Sequence, residues 1–347
     1  MDAILKLCMV YTESTTYTVL GQGTMTDLAI RAEGLRKRYR AGKRSKQALD
    51  GFTLHVPAGT VHGLLGPNGA GKTTAVRTLA TLLRHDAGRA EVCGWDVARQ
   101  PDQVRARIGL TGQYAAVDEQ LSGRQNLVLF GRLARLGAKA AARRADELLE
   151  QFGLTEAAGR TAGQYSGGMR RRLDLAASMI RRPRLLFLDE PTTGLDPRSR
   201  NQVWDAVRSL VAAGTTVLLT TQYLEEADQL ADRISVLDAG RVVAEGTAEE
   251  LKARIGGDRI EVVARHAAEL DAVAAIVAEA CGVVPETDPV ERRVGAVVAD
   301  RVAALIEVVT RLNAAGLAVA DIGVRQPTLD EAFLHLTGHG APREAVA

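Results

Sequence analysis

A chain of 347 residues has the length of about two domains and ample material for a sizeable core, which excludes a small disulfide-held module. Hydrophobic residues make up 46% and charged residues 25%, the composition of a folded protein and not of a disordered one. The formal charge is +2, from 44 Lys+Arg against 42 Asp+Glu, and the basic residues read as scattered, which argues against nucleic acid as the main partner because phosphate neutralisation needs clustered cations.

Residues 1–26 show no clear period and are expected to form a disordered extension, with Met25 a plausible second start. From Leu28 onward α/β patterning takes over. The apolar runs Thr60 to Leu65, Ile108 to Thr111, Leu185 to Leu188, Thr216 to Thr220 and Ile234 to Leu237 alternate with helical stretches, as parallel strands covered on both faces should. Between Gln113 and Arg182 the pattern is helical without a strand, which predicts a helical insertion. Its first helix carries a capping box, Ser122 with Gln125 three residues on.

After Gly256 and Gly257 the pattern restarts. Arg259 to Ala264 reads as strand, Ala267 to Cys281 as helix, and Val283 to Val284 with Arg293 to Val298 as a hairpin. Arg301 to Asn313 is helical again and Leu317 to Val324 a strand. The order β-α-β-β-α-β predicts a small ferredoxin-like unit. Cys8, Cys93 and Cys281 are too separated for a C-x-x-C site, so a reducing cytosol fits. No window approaches the ~20 consecutive apolar residues of a bilayer span. The uncharged run Ser209 to Leu224 holds Gly214 and four threonines. If membranes matter, another chain must supply the spans.

Gly66-Pro67-Asn68-Gly69-Ala70-Gly71-Lys72-Thr73 fits G-x-x-x-x-G-K-[ST], followed by Thr74 and by apolar residues at helical spacing. In such a loop the glycines let successive N–H groups converge on phosphate oxygens, and the helix amino end adds positive dipole. Lys72 then reaches the β- and γ-phosphates, and Thr73 holds Mg²⁺. Leu185 to Glu190 is an apolar strand ending in adjacent carboxylates. Strand alternation points them apart, so Asp189 is expected to organise the Mg²⁺ shell and Glu190 to act on the attacking water as general base. Tyr165-Ser166-Gly167-Gly168-Met169 opens an arginine-rich helix and by itself is only a capping turn. Standing between the phosphate loop and the Asp-Glu strand, with Gly194-Leu195-Asp196 soon after, it completes the order of an ATP-binding cassette.

Over roughly Leu28 to Gly338 the sequence resembles the nucleotide-binding subunits of ABC transporters, most of all the daunorubicin/doxorubicin-resistance type. The resemblance implies an α/β P-loop cassette over 27–255, a mixed sheet with a helical subdomain at about 114–182. A small α+β ferredoxin-like accessory domain over 258–338 and a tail over 339–347 would follow. It implies ATP hydrolysis with Mg²⁺ and a head-to-tail dimer. Lys72, Thr73, Asp189 and Glu190 of one copy would face the signature residues Ser166, Gly167, Gly168 and Met169 of the other. Tyr39 would stack on adenine, Gln113 would contact Mg²⁺ and sense the transport partner, and Asp196 would connect the two sites. The partner implied is a multi-span permease that exports a drug-like or other amphipathic compound, with the cassette at the cytoplasmic face of the membrane. The stretch around Leu127 to Leu136 would meet the permease, and the ending Pro327 to Leu334 would support the dimer. The alternative is a non-transport cassette acting on ribosomes or DNA. Those relatives usually carry two cassettes per chain, coiled-coil insertions or zinc modules, which this sequence lacks.

The departures are specific. Tyr165 and Met169 stand where the wider family has Leu and Gln, and Gln222 stands at the switch position that is normally His. An amide can hydrogen-bond a γ-phosphate but carries neither proton nor positive charge. The run Thr220 to Asp228 itself resembles the drug-resistance branch. The remaining histidines form no pair with ligand spacing. Slower turnover is the expected consequence of Gln222: a Gln222→His variant should release phosphate from Mg-ATP faster than the parent chain, and an unchanged rate would count against this.

Overall fold

The computed structural model describes residues 27–41, 44–112, 115–254, 257–325 and 328–337. The 1–26 extension, the 339–347 tail and Gln113 lie outside the described residues. Strands apolar at nearly every position belong where both faces are covered, and Val61–Leu65, Leu185–Asp189 and Thr216–Thr221 are buried throughout. They form the middle of a six-stranded sheet. Its order is Arg241–Gly246, Arg233–Asp238, Val61–Leu65, Thr216–Thr221, Leu185–Asp189 and Ile108–Thr111. The last five are parallel, while Arg241–Gly246 runs antiparallel at the edge, so the sheet is mixed.

Alternation along the strands splits the core. Leu185, Phe187 and Leu218 face the helix Lys72–Leu79 through Ala75, Val76 and Leu79. Leu186, Leu188, Val217 and Leu219 pack instead with Trp204, Val207 and Leu210 of the helix Pro197–Ala212. His62 lies within its strand, fully buried, with Nε2 2.9 Å from Ser235 Oγ. Burial, aided by Arg233, lowers its pKa to about 4.

A second, antiparallel sheet was not legible in the sequence. It joins Arg44–Pro57, Leu28–Ala41, Ala87–Val92 and Trp95–Asp96, and it buries Ile30, Leu35, Phe52 and Leu54 in the cluster that holds Leu64 and Leu79. Its long hairpin also corrects the reading of evenly scattered charge. Seven of the eleven residues 36–46 are Lys or Arg, partly answered by Asp50 near Arg36 and Asp86 on Lys37.

The helical insertion consists mainly of Gly123–Leu133, Ala138–Gln151 and Gly167–Ser178. Its first helix carries the expected capping box, Ser122 and Gln125 each accepting from the other's backbone N–H. Residues 259–325 form a four-stranded antiparallel sheet in the order Glu286–Asp288, Arg293–Val297, Arg259–Ala264, Val319–Arg325. The helices Leu270–Cys281 and Arg301–Ala314 bury Val273, Val277, Val308 and Leu312 against it. The hairpin differs from the expected one, because Glu286–Asp288 and not Val283 to Val284 pairs with Arg293–Val297. Helix Leu270–Cys281 is capped by Gly282 at φ 68°, and Val284 follows at 94% exposure. Asp288 then makes the turn by accepting from Val290 N and Glu291 N.

The final helix, Leu329–Thr337, returns to the first half of the chain. Leu329 and Ala332 are buried among Leu65, Ala227, Ile234, Val236 and Leu251, so within one chain it braces the six-stranded sheet. Its Glu331 accepts from Arg325 at 2.8 and 2.9 Å and lies 3.5 Å from Arg259. Arg325 above all lowers the Glu331 pKa from the usual 4.5 to about 2. A carboxylate so depressed contributes fully above pH 4.5 and loses its contribution as pH falls toward about 2. Pepsin should therefore cut within Leu329–Thr337 increasingly readily as the pH is lowered across that window. A Glu331→Gln variant should be cut readily even at its upper end.

Candidate active site

The loop between Val61–Leu65 and Lys72–Leu79 is shaped by what it must avoid. A Cβ at Gly66 would strike the Leu237 carbonyl oxygen, and one at Gly71 the Ala48 carbonyl oxygen; Gly71 also has φ 114°. Only glycine fits at both ends of the loop. Gly66 N donates to Thr221 O at 3.3 Å and Gly240 N to Ala70 O at 2.8 Å, pinning the loop to the sheet. Lys72 folds beneath it, 4% exposed, donating to Gly66 O at 2.6 Å and Pro67 O at 3.2 Å, with Glu190 Oε1 at 3.5 Å. Burial lowers its pKa, and Glu190 partly restores it.

Across the loop, Asp189 Oδ1 accepts from Thr220 Oγ1 at 2.5 Å and from Thr73 Oγ1 at 3.4 Å. A hydroxyl and a carboxylate oxygen thus meet where a hard cation would find donors of the right kind. Among the described residues no group of three or more His, Cys, Asp or Glu could hold a metal unaided. Glu190 stands apart from Asp189 for a reason other than simple alternation: the strand ends at Asp189, and Glu190 turns away in left-handed backbone at φ 50°.

A cavity of about 220 Å³ opens over the loop, lined by Tyr39, Lys46, Pro67, Asn68, Gly69, Lys72, Thr73, Thr74 and Glu190 among others. Tyr39 is 41% exposed. Lys46 escaped the sequence reading, since only the hairpin register, which pairs it with Tyr39, brings it here. The signature residues, Asp196 and Gln222 are not in this lining. Ser166 caps helix Gly167–Ser178 by accepting from Met169 N at 3.2 Å, and it is exposed together with Gly167. Asp196 caps helix Pro197–Ala212, accepting from Ser199 N at 2.9 Å and Ser199 Oγ at 2.7 Å. These two hydrogen bonds lower its pKa. Ser199, also missed, packs on Gly168, where a Cβ would collide with it. Gln222 is half-buried, directly after the strand end whose Thr221 carbonyl holds Gly66.

A family model described as ABC transporter matches residues 49–193. The daunorubicin resistance ATP-binding protein DrrA2 of Streptomyces coeruleorubidus is 64% identical over 315 residues, covering 91% of this chain and 97% of the relative. This chain belongs to the ABC transporter ATP-binding family. As a member it is an ATPase. The chain is also 51% identical over 316 residues to the doxorubicin resistance ATP-binding protein DrrA of Mycobacterium tuberculosis (strain ATCC 25618 / H37Rv), over 90% and 94% of the two chains. A solved post-hydrolysis dimer of an ATP-binding cassette with ADP and Pi shares the fold, at TM-score 0.58 and 23% identity over 63% of this chain and 98% of that one.

The tyrosine that opens this cassette's signature has a packing reason. Tyr165 is buried, its Oη donates to Ala157 O at 2.7 Å, and that hydroxyl fills the space that a Cβ on Gly123 would need. Gly123→Ala should therefore lower stability by ~1–3 kcal/mol, read from the urea midpoint. Tyr165→Phe alone should cost about 1 kcal/mol for the lost hydrogen bond, yet it should recover part of the loss when added to Gly123→Ala.

Proposed function

We propose that the chain is the ATP-hydrolysing motor of a membrane exporter, with nucleotide seated in the cavity between Tyr39 and Lys72. The observation that carries this reading is the convergence of Lys72, Thr73, Asp189 and Glu190 at one phosphate-sized loop. The loop N–H groups from Asn68 to Thr74 and the Lys72 ammonium hold the polyphosphate, and Tyr39 stacks on the adenine. Thr73 and Asp189, with Gln113, would hold the Mg²⁺ that accompanies the nucleotide, which would supply neutralising charge to the phosphates. Glu190 orients a water in line with the γ-phosphate and takes its proton, and Gln222 lends an uncharged hydrogen bond.

Ser166, Gly167, Gly168 and Met169 lie outside the chain's own cavity, so they serve a second copy docked head to tail, with Asp196 beside them. The solved cassette that shares the fold is itself a dimer. No helix of the described residues is long and apolar enough to cross a membrane; in this reading the motor works on a separate permease from the cytoplasmic face. Helix Gly123–Leu133 offers it Leu133, 69% exposed, beside a cavity of about 290 Å³ lined by Leu110, Phe130 and Leu133. The cargo class follows relatives named for daunorubicin and doxorubicin resistance, a drug-like amphipathic compound. A Nod factor export ATP-binding protein I of Paraburkholderia xenovorans (strain LB400), 41% identical over 239 residues and covering 69% of this chain and 77% of that one, carries a different cargo in its name. Cargo choice accordingly lies in the permease.

Affinity purification of the full chain from gently solubilised native membranes tests the reading. A multi-span protein should co-purify at near-equal stoichiometry. The complex should hydrolyse ATP, and a Glu190→Gln version should bind ATP yet lose about 10²-fold or more of the rate. Ribosomes or DNA in place of a membrane protein would favour the non-transport alternative.

A further inference from the structure

Glu190 is a non-glycine residue at φ 50°, a conformation that persists only where the surroundings over-determine it. Its two neighbours are held by one side chain. Arg171, buried on the helix that Ser166 caps, donates from Nη2 to Asp189 O at 3.4 Å and from Nε to Pro191 O at 2.7 Å. The guanidinium therefore grips the backbone immediately before and after Glu190. Thr192, next along, is anchored separately, its Oγ1 donating to buried Glu226 at 2.8 Å.

The same guanidinium reaches further. Nη1 donates to Gly112 O at 2.6 Å and lies 3.4 Å from Asp174 Oδ2, while Asp174 Oδ1 accepts from Ala116 N at 2.8 Å. Gly112 and Ala116 stand on either side of Gln113 in the sequence, and Asp174 and Ala116 line the cavity beside Leu133. One planar fork thus joins the signature helix, the segment on both sides of Gln113 and the turn that carries Glu190.

We propose that Arg171 is a positioning residue for ATP hydrolysis: by fixing the carbonyls that bracket Glu190, it sets where that carboxylate stands relative to the attacking water. The inference rests on the reading of Glu190 as general base. Only arginine suits the place, since four acceptors in different directions match the rigid five-donor fork and not the single nitrogen of lysine.

The test measures phosphate release and ATP affinity in the full chain carrying Arg171→Lys, Glu190→Gln or both, with thermal unfolding to follow the fold. Lysine keeps a positive charge beside Asp174. Arg171→Gln repeats the test with an uncharged side chain and should lose at least as much. Arg171→Lys is expected to lower kcat about tenfold or more with KM for ATP changed less than about twofold, the pattern of a misplaced catalytic group. In the Glu190→Gln background it should lower the residual rate by less than about twofold, because its effect passes through that carboxylate. An unchanged kcat, a KM that rises as kcat falls, or equal losses in both backgrounds would overturn the proposal. If Glu190→Gln abolishes hydrolysis while both Arg171 variants leave it intact, the proposal alone fails. If Glu190→Gln hydrolyses normally, the reading of Glu190 fails and the proposal with it.

Discussion

A single ammonium group, carried into the protein at the head of a helix, governs the centre of the molecule. Lys72 is almost fully enclosed, and a charge so placed is tolerated only with hydrogen-bond acceptors and a counter-charge around it. The Gly66 and Pro67 carbonyls and the Glu190 carboxylate provide these. Turning two loop carbonyls inward brings the chain against the backbone of residues 48 and 237, which is why a side chain fits at neither Gly66 nor Gly71. Glu190 can meet the ammonium because it bends out of its strand. The glycines, the lysine and the unusual backbone of one glutamate are one arrangement.

The parts of this arrangement close together in sequence could be read without coordinates. The phosphate loop spells out its glycines and lysine in a few residues, and the buried strands announce themselves as unbroken apolar runs. The antiparallel sheet was harder, because Leu28–Ala41 carries cations between its apolar residues and its pairing depends on partners far along the chain. Lys46, Ser199 and Arg171 were missed for the same reason. Each earns its place through a contact across a hairpin, between helices or between distant loops, which no local spacing encodes. The Val283 to Val284 strand failed because two valines look extended wherever they stand. Helix capping and the Asp288 turn decided the pairing instead.

Tyr165 shows how a departure from a family pattern can be a local exchange of volume. The phenol is accommodated because a glycine, Gly123, opens the helix Gly123–Leu133, so the two positions must be considered together. Ser166 and Gly167 keep their outward presentation while the residue before them plugs the helical arm.

The closing helix has a consequence for how the protein is made. Leu65, Ala227, Ile234, Val236 and Leu251 emerge from the ribosome well before Leu329 and Ala332, which cover them. Until Leu329 and Ala332 have been made, the nascent cassette displays an apolar surface that nothing local can hide, and such surfaces attract chaperones and aggregation partners. Maturation of the motor half is therefore tied to synthesis of a segment far downstream of it, and a chain cut before Leu329 would be a sticky product even with every nucleotide-binding residue intact.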